Sequence, residues 1–212
     1  METEKLHSYI EELILNRSEL LEEMEQYARA HHVPIMELSG IETILQILRI
    51  AQPKKILEVG TAIGYSALRM ATVLPETNIV TIERDSERYT VAEKFIKRAN
   101  KEHQISIIKG DALEVESLVE EFGSFDAIFI DAAKGQYKKF FEIYSKYLGD
   151  KGIIITDNVL FKGLVYEDTI ESKRVRSMVT KIKDFNKWLM EHAEYDSIII
   201  PVGDGVAISK KR

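Results

Sequence analysis

Apolar residues in the first fifty positions recur at helical spacing. Leu6, Tyr9, Ile10, Leu13 and Ile14 mark one helix face, and Leu20, Leu21, Met24, Tyr27 and Ala28 mark a second. A third run, Ile41, Ile44, Leu45 and Leu48, follows Ser39 and Glu42, whose spacing reads as a capping box, and Pro53 closes it. These patterns predict a helical layer over residues 1–52. From Lys54 the period changes to short apolar runs alternating with helical stretches, as in βαβ units around a parallel sheet. The runs are Lys55–Val59, Ile79–Glu83, Ile105–Lys109, Ala127–Asp131 and Ile153–Thr156. Two more, Ser197–Val202 and Gly205–Ser209, are separated by Gly203-Asp204 alone and predict an antiparallel hairpin with a tight turn. The expected fold is α/β: a seven-stranded, mostly parallel, Rossmann-like sheet over residues 53–212, finished by the hairpin.

Composition narrows this picture. A chain of 212 residues with 45% hydrophobic content supports one core, so residues 1–212 read as a single domain without repeats or linkers. The absence of cysteine excludes disulfides, thiolate metal sites and cysteine nucleophiles, so any metal must be held by oxygen or imidazole. The charged start, Met1-Glu2-Thr3-Glu4-Lys5, and the lack of a long apolar run predict neither a signal peptide nor a membrane helix, and a cytoplasmic protein. A net charge of −6 argues against broad nucleic-acid binding but leaves room for a local basic patch.

The candidate chemistry sits where strands end. After the first strand, Glu58-Val59-Gly60-Thr61-Ala62-Ile63-Gly64-Tyr65-Ser66 forms a glycine-containing loop into a helix. Ala62 stands where a dinucleotide fingerprint needs its central glycine, so a cofactor without a pyrophosphate fits better. Glu83 ends the second strand, where a carboxylate can accept ribose hydroxyls, and Gly110-Asp111-Ala112 ends the third, beside an adenine position. The fourth and fifth strands end in Asp131 and in Asp157-Asn158, hard oxygen donors suited to Mg²⁺, with Mn²⁺ or Ca²⁺ as alternatives; the last pair also reads as an ordinary turn. Lys134 follows Asp131 closely and can take a proton from a bound hydroxyl or stabilise its anion, although it also reads as one more surface lysine.

Together these residues resemble the metal-dependent O-methyltransferases of the catechol and caffeoyl-CoA type, from about Ile35 to the C-terminus. The resemblance implies the class I methyltransferase fold, S-adenosylmethionine as cofactor and a divalent cation. It implies metal ligands at Asp131, Asp157 and Asn158, and catalysis by Lys134 with Asp131. The cofactor contacts it implies are Met36, Glu58, Gly60, Ser66, Glu83, Asp111, Ala112 and Asp131. Within that family, His31-His32-Val33-Pro34-Ile35-Met36, the stretch from Asp157 to Gly163, and Pro201-Val202-Gly203-Asp204-Gly205 are similar to bacterial enzymes that methylate 5-hydroxyuridine at the tRNA wobble position. The closer resemblance implies tRNA as partner, with small catechols or related phenols as the alternative.

A basic stripe bears on that choice. Between Ile170 and Glu191, Val175, Met178, Val179, Ile182, Phe185 and Leu189 share one helical face, and Lys173, Arg176, Lys183 and Lys187 run beside it. With Lys162, Arg174, Lys181 and the terminal Lys210-Lys211-Arg212 they form a candidate RNA surface centred on Lys162, Lys173, Arg174, Arg176 and Lys183, a pattern an ordinary solvated face also produces. Trp188, Tyr65 and Tyr137 can stack on a base or simply fill the core. The apolar stripes of the N-terminal helices predict either a homodimer or a cap over the active site.

Overall fold

The computed structural model describes residues 2–212. Of the charged opening stretch, Met1 and the side chains of residues 2–4 lie outside the described residues. Three helices come first: α1 (Glu2–Glu12), α2 (Glu19–Ala30) and α3 (Leu38–Ala51). The alternating part follows as β1 (Lys55–Val59), α4 (Tyr65–Val73), β2 (Asn78–Glu83), α5 (Ser86–Arg98) and β3 (Ile105–Lys109). Then come α6 (Glu116–Glu120), β4 (Phe125–Ile130), α7 (Tyr137–Tyr144), β5 (Leu148–Thr156), α8 (Lys173–Met190), β6 (Tyr195–Ile200) and β7 (Val206–Lys211).

The strands form one seven-stranded sheet in the order β3-β2-β1-β4-β5-β7-β6. The first five run parallel, and β7 inserts antiparallel between β5 and β6. This is the expected class I sheet. Alternate residues of each strand serve opposite cores: Ile56, Ile79, Phe129 and Ile155 face the layer of α2 to α5, whereas Leu57, Val80, Ile128 and Ile154 face α6 to α8. The chain winds outward from β1 to β3 and returns to β4 on the other side of β1. That reversal opens a crevice beyond the carboxyl ends of β1 and β4, the place where open α/β sheets bind ligands.

Two expectations need correction. The capping box does not form: α3 begins at Leu38 with Glu37 at its N-cap, Ser39 is buried in the first turn, and the Glu42 carboxylate pairs with Arg69 of α4. A guanidinium that is nearly buried must have an acid partner, and this demand outweighs the local cap. The hairpin turn is also longer than two residues, because β6 stops at Ile200 and β7 starts at Val206. Pro201 has no N–H to continue the ladder, and the middle of the loop is tied elsewhere: Val159 N donates to Gly205 O at 3.0 Å, and Leu160 N to Asp204 O at 2.9 Å. Among the described residues, no helix is long and apolar enough to cross a membrane.

Candidate active site

The strand ladder sets the site. Beyond the last paired residues, Asp131 N donates to Val59 O at 2.9 Å and Asp157 N to Ile130 O at 3.0 Å. The parallel register therefore runs one step further, and Gly60, Asp131 and Asp157 stand side by side, about one strand spacing of 4.8 Å apart. Gly60 has φ +109°, and a Cβ there would lie 2.0 Å from the Asp131 carbonyl oxygen, so only glycine lets β1 and β4 come this close. The cofactor loop and the acidic strand ends are thus parts of one crevice, a cavity of about 640 Å³.

At one end of the cavity the wall is made by Met36, Gly60, Ser66, Glu83, Asp111 and Ala112, six of the expected cofactor contacts. Its carboxylates are held by short local bonds. Glu83 accepts the Ala62 and Asp85 N–H groups at 2.7 and 2.8 Å, and Asp111 accepts Leu113 N–H at 2.9 Å. The Tyr144 hydroxyl donates to Ala112 O at 2.6 Å and pins the next segment of wall.

Glu58 is placed differently from expectation. It lies within β1, fully buried behind the wall, where the Ser66 and Thr81 hydroxyls each donate to it at 2.5 Å. Loss of hydration pushes its carboxyl up to about 7, against the two hydroxyl bonds, while Asp131 and Glu83 push the same way as burial. Glu58 fixes Ser66 and the loop from below; it is not part of the wall.

At the other end stand Asp131, Lys134, Asp157, Asn158 and Lys162. Loss of hydration raises both aspartyl carboxyls above the usual range; the charge of Asp131 raises Asp157 further, Asp204 raises both, and the Lys134 ammonium opposes these effects. Asn158 has φ +63° and its amide donates to Asp157 at 2.5 Å. Phe161 and Lys162, also at positive φ, continue into Gly163 and carry a strained loop over this end. Lys134 lies in a 3-10 turn just before α7, with its ammonium 5.8 Å from the centre of the Phe161 ring.

The donor set fits a hard cation. Two crowded, poorly hydrated carboxylates and an asparagine at a shared opening are what a divalent ion would neutralise. No group of three or more His, Asp or Glu side chains able to hold a metal forms among the described residues, so water and substrate oxygens would complete the shell.

Asp204 went unnoticed in the sequence, where Gly203-Asp204-Gly205 reads as a turn; it lines the same cavity, and its charge raises the carboxyls of Asp131 and Asp157. Phe161, Arg84 and Arg88 on the wall were likewise unannounced. Of the candidate RNA residues only Lys162 reaches the cavity, whereas Lys173, Arg174, Arg176 and Lys183 are exposed along α8. Of the base-stacking candidates Tyr137 and Trp188 pack away from the cavity, whereas Tyr65 is on its wall with its hydroxyl already engaged. Tyr137 is buried, Tyr65 is bonded to Glu25 and Arg69, and Trp188 packs edge-on against Phe141 and His192. His31 stacks on Tyr27 at 4.1 Å, and neither it nor His32 reaches the cavity. Nor do α1 and α2 cap the cavity: its N-terminal wall comes from the segment around Met36 and from Gly40.

Known proteins match this architecture. The O-methyltransferase family model matches residues 11–212. A catechol O-methyltransferase of Niastella koreensis is 36% identical over 174 residues, 78% of this chain and 77% of its own. A Staphylococcus aureus protein whose structure is assigned as a caffeoyl-CoA O-methyltransferase superposes with a TM-score of 0.88 at 38% identity, covering 100% of this chain and 98% of its own. The SAH-bound methyltransferase PaMTH1 of Podospora anserina, which carries the spent form of S-adenosylmethionine, superposes equally well, TM-score 0.88 at 26% identity, covering 100% of this chain and 95% of its own. With the sheet order, the glycine-gated crevice and these matches in agreement, the chain belongs to the O-methyltransferase family of the caffeoyl-CoA and catechol type, and its activity is S-adenosylmethionine-dependent O-methylation.

Proposed function

We propose that this enzyme methylates one of two neighbouring oxygens on a planar ring, with a divalent cation held by Asp131, Asp157 and Asn158. Mg²⁺ is the expected ion, and Mn²⁺ or Ca²⁺ are substitutes. The observation that carries this reading is the lateral alignment of Gly60, Asp131 and Asp157, which joins cofactor loop and acidic strand ends in one cavity. A cation held by Asp131, Asp157 and Asn158 would supply Lewis acidity to the acceptor hydroxyl. Glu83 binds the ribose hydroxyls of the cofactor, Asp111 and Ala112 border its adenine, and Gly60 and Ser66 border its remainder. Lys134 receives the proton of the reacting hydroxyl or faces the resulting anion. Methyl transfer would break one S–C bond of the cofactor and form one O–C bond on the acceptor, whose proton Lys134 would take, and the shared cavity would bring the two reactants together.

Two substrates present such a pair of oxygens. The names of the relatives favour a small phenol of the catechol or caffeoyl type. The basic rim favours 5-hydroxyuridine at the tRNA wobble position, giving 5-methoxyuridine: Arg84, Arg88, Lys134 and Lys162 stand on the cavity wall, and Lys173, Arg174, Arg176 and Lys183 are exposed along α8. Labelled S-adenosylmethionine with Mg²⁺, offered together with a catechol panel and undermodified tRNA, decides between them. Label in tRNA alone removes the phenol, and label in catechols alone removes the RNA. Leu6 and Tyr9 of α1 and Leu13 just after it stay 59%, 59% and 64% exposed, an apolar stripe that supports a homodimer, to be checked by light scattering.

A further inference from the structure

Buried tyrosine hydroxyls in this protein find partners, with one exception. Tyr65 donates to Glu25 and accepts from Arg69, Tyr144 donates to Ala112 O, and Tyr195 bonds to Ser145. Tyr137 is only 1% exposed, and its hydroxyl is one of two buried side-chain polar atoms without a hydrogen-bond partner among the described residues, the other being Asn186 Oδ1. Phenylalanine would fill the same space without a desolvated, unanswered hydroxyl. Tyr137 opens α7 directly after the turn that carries Lys134, and its ring packs edge-on against Phe185 of α8 at 5.5 Å. Its ring shares a buried cluster with Ile130 and Val159, the neighbours of Asp131 and of Asp157-Asn158, and borders a second, smaller cavity lined by Lys134 and Asp184. The negative charges of Asp131, Asp157 and Asp204 act on its hydroxyl and raise it well above the ordinary tyrosine range, as burial does first.

We infer that Tyr137 is a positioning residue for the cation site: its buried hydroxyl donates to the Asp131, Asp157 and Asp204 cluster when a divalent ion is held there, turning ligand oxygens toward the cavity. The inference rests on the cation reading above. Carboxylates that ligate metals are themselves held by hydrogen-bond donors, and a phenolic O–H adds a donor beside the Asn158 amide that bonds Asp157. Removing such a donor lowers metal affinity without touching the fold.

The test is Mn²⁺ binding by electron paramagnetic resonance, with SAH present, in wild-type protein and Tyr137→Phe. The variant is expected to bind Mn²⁺ about tenfold more weakly, with unchanged SAH affinity and an apo thermal midpoint equal to or above wild type. Equal Mn²⁺ affinity in the two proteins overturns the inference and leaves the cation reading standing. A lower midpoint with lost SAH binding makes the hydroxyl structural and also overturns it. A wild-type protein that binds no Mn²⁺ removes the cation reading and the inference together. Wild-type protein carrying ¹³C at tyrosine Cζ gives a readout that needs no variant: Mg²⁺ displaces a tyrosine resonance as the hydroxyl gains its acceptor, and a spectrum that stays unchanged overturns the inference.

Discussion

The two ends of the cavity treat carboxylates in opposite ways. At the cofactor end Glu83 and Asp111 are answered by backbone N–H groups and, behind the wall, Glu58 by two hydroxyls. At the far end Asp157 is answered only in part, by Asn158, while the charges of Asp131 and Asp204 act against it with Lys134 as the opposing charge, and the hydroxyl of Tyr137 has no partner among the described residues. The first end is finished before a ligand arrives, as suits a neutral ribose and adenine read by hydrogen bonds. The second is electrostatically incomplete, and a divalent ion completes it. Polar groups that are satisfied mark shape recognition, and like charges crowded out of water mark a place for a counter-charge.

The largest expected effect comes from breaking the incomplete end. Asp157→Ala, or chelation of the wild-type enzyme with EDTA, should reduce methyl transfer by about a thousandfold while SAH affinity, measured by calorimetry, stays within a factor of two or so. Turnover that survives both treatments would show that the acidic end acts without a cation. Lys134→Met should come next, a loss of about a hundredfold in kcat with little change in KM, because the lysine serves the proton rather than binding. If KM rises and kcat holds, Lys134 belongs to substrate binding.

Much of this was legible in the chain because its signals are local. β1 and β3 keep the bounds of their apolar runs: β1 because it is central and buried along nearly its whole length, β3 although it is the edge strand with Ser106 and Lys109 exposed. The start of β5 was missed because Gly149-Asp150-Lys151 interrupts the run, although Leu148 already pairs with Phe125. Asp131, Asp157 and Asn158 stood out as polar ends of apolar strands. What stayed hidden depends on distant partners. Glu42 answers Arg69 on α4, Asp204 reaches the site only because its loop docks on residues 159–161, and Glu58 turns inward because Ser66 and Thr81 meet it there. The two terminal strands could be read from neighbours in sequence, but the length of their turn, the cap of α3 and the direction of a carboxylate depend on partners elsewhere in the chain.

Glu58 offers a way to sharpen the contrast between satisfied and unsatisfied acids. Its folded carboxyl titrates near 7, above the ordinary value of 4.5, so the folded protein holds that proton between these values while the unfolded chain has lost it. Stability from this group is therefore complete below about pH 4.5 and lost as the pH rises through about 7. Glu58→Gln removes the dependence, and relative to wild type the variant should gain about 3 kcal/mol between pH 4 and pH 8 in urea unfolding. A difference that stays flat across that range would mean that the two hydroxyl bonds keep Glu58 ionised throughout.

The smallest effect is expected at the ion pair between Arg84 and Asp111 at the cofactor end. Arg84 lies 3.4 Å from Asp111, but the two side chains are 67% and 34% exposed, so water screens the pair. The geometry of Asp111 is set instead by its bond to Leu113 N–H. Arg84→Ala should therefore change SAH affinity by less than about threefold, with the residual effect fading as salt is raised, since exposed pairs contribute roughly 0 to 1 kcal/mol. Calorimetric titration at low and high ionic strength measures both. A tenfold loss that persists in high salt would place a working charge at the cofactor end, and the division of the cavity into a hydrogen-bonding end and a charged end would no longer hold.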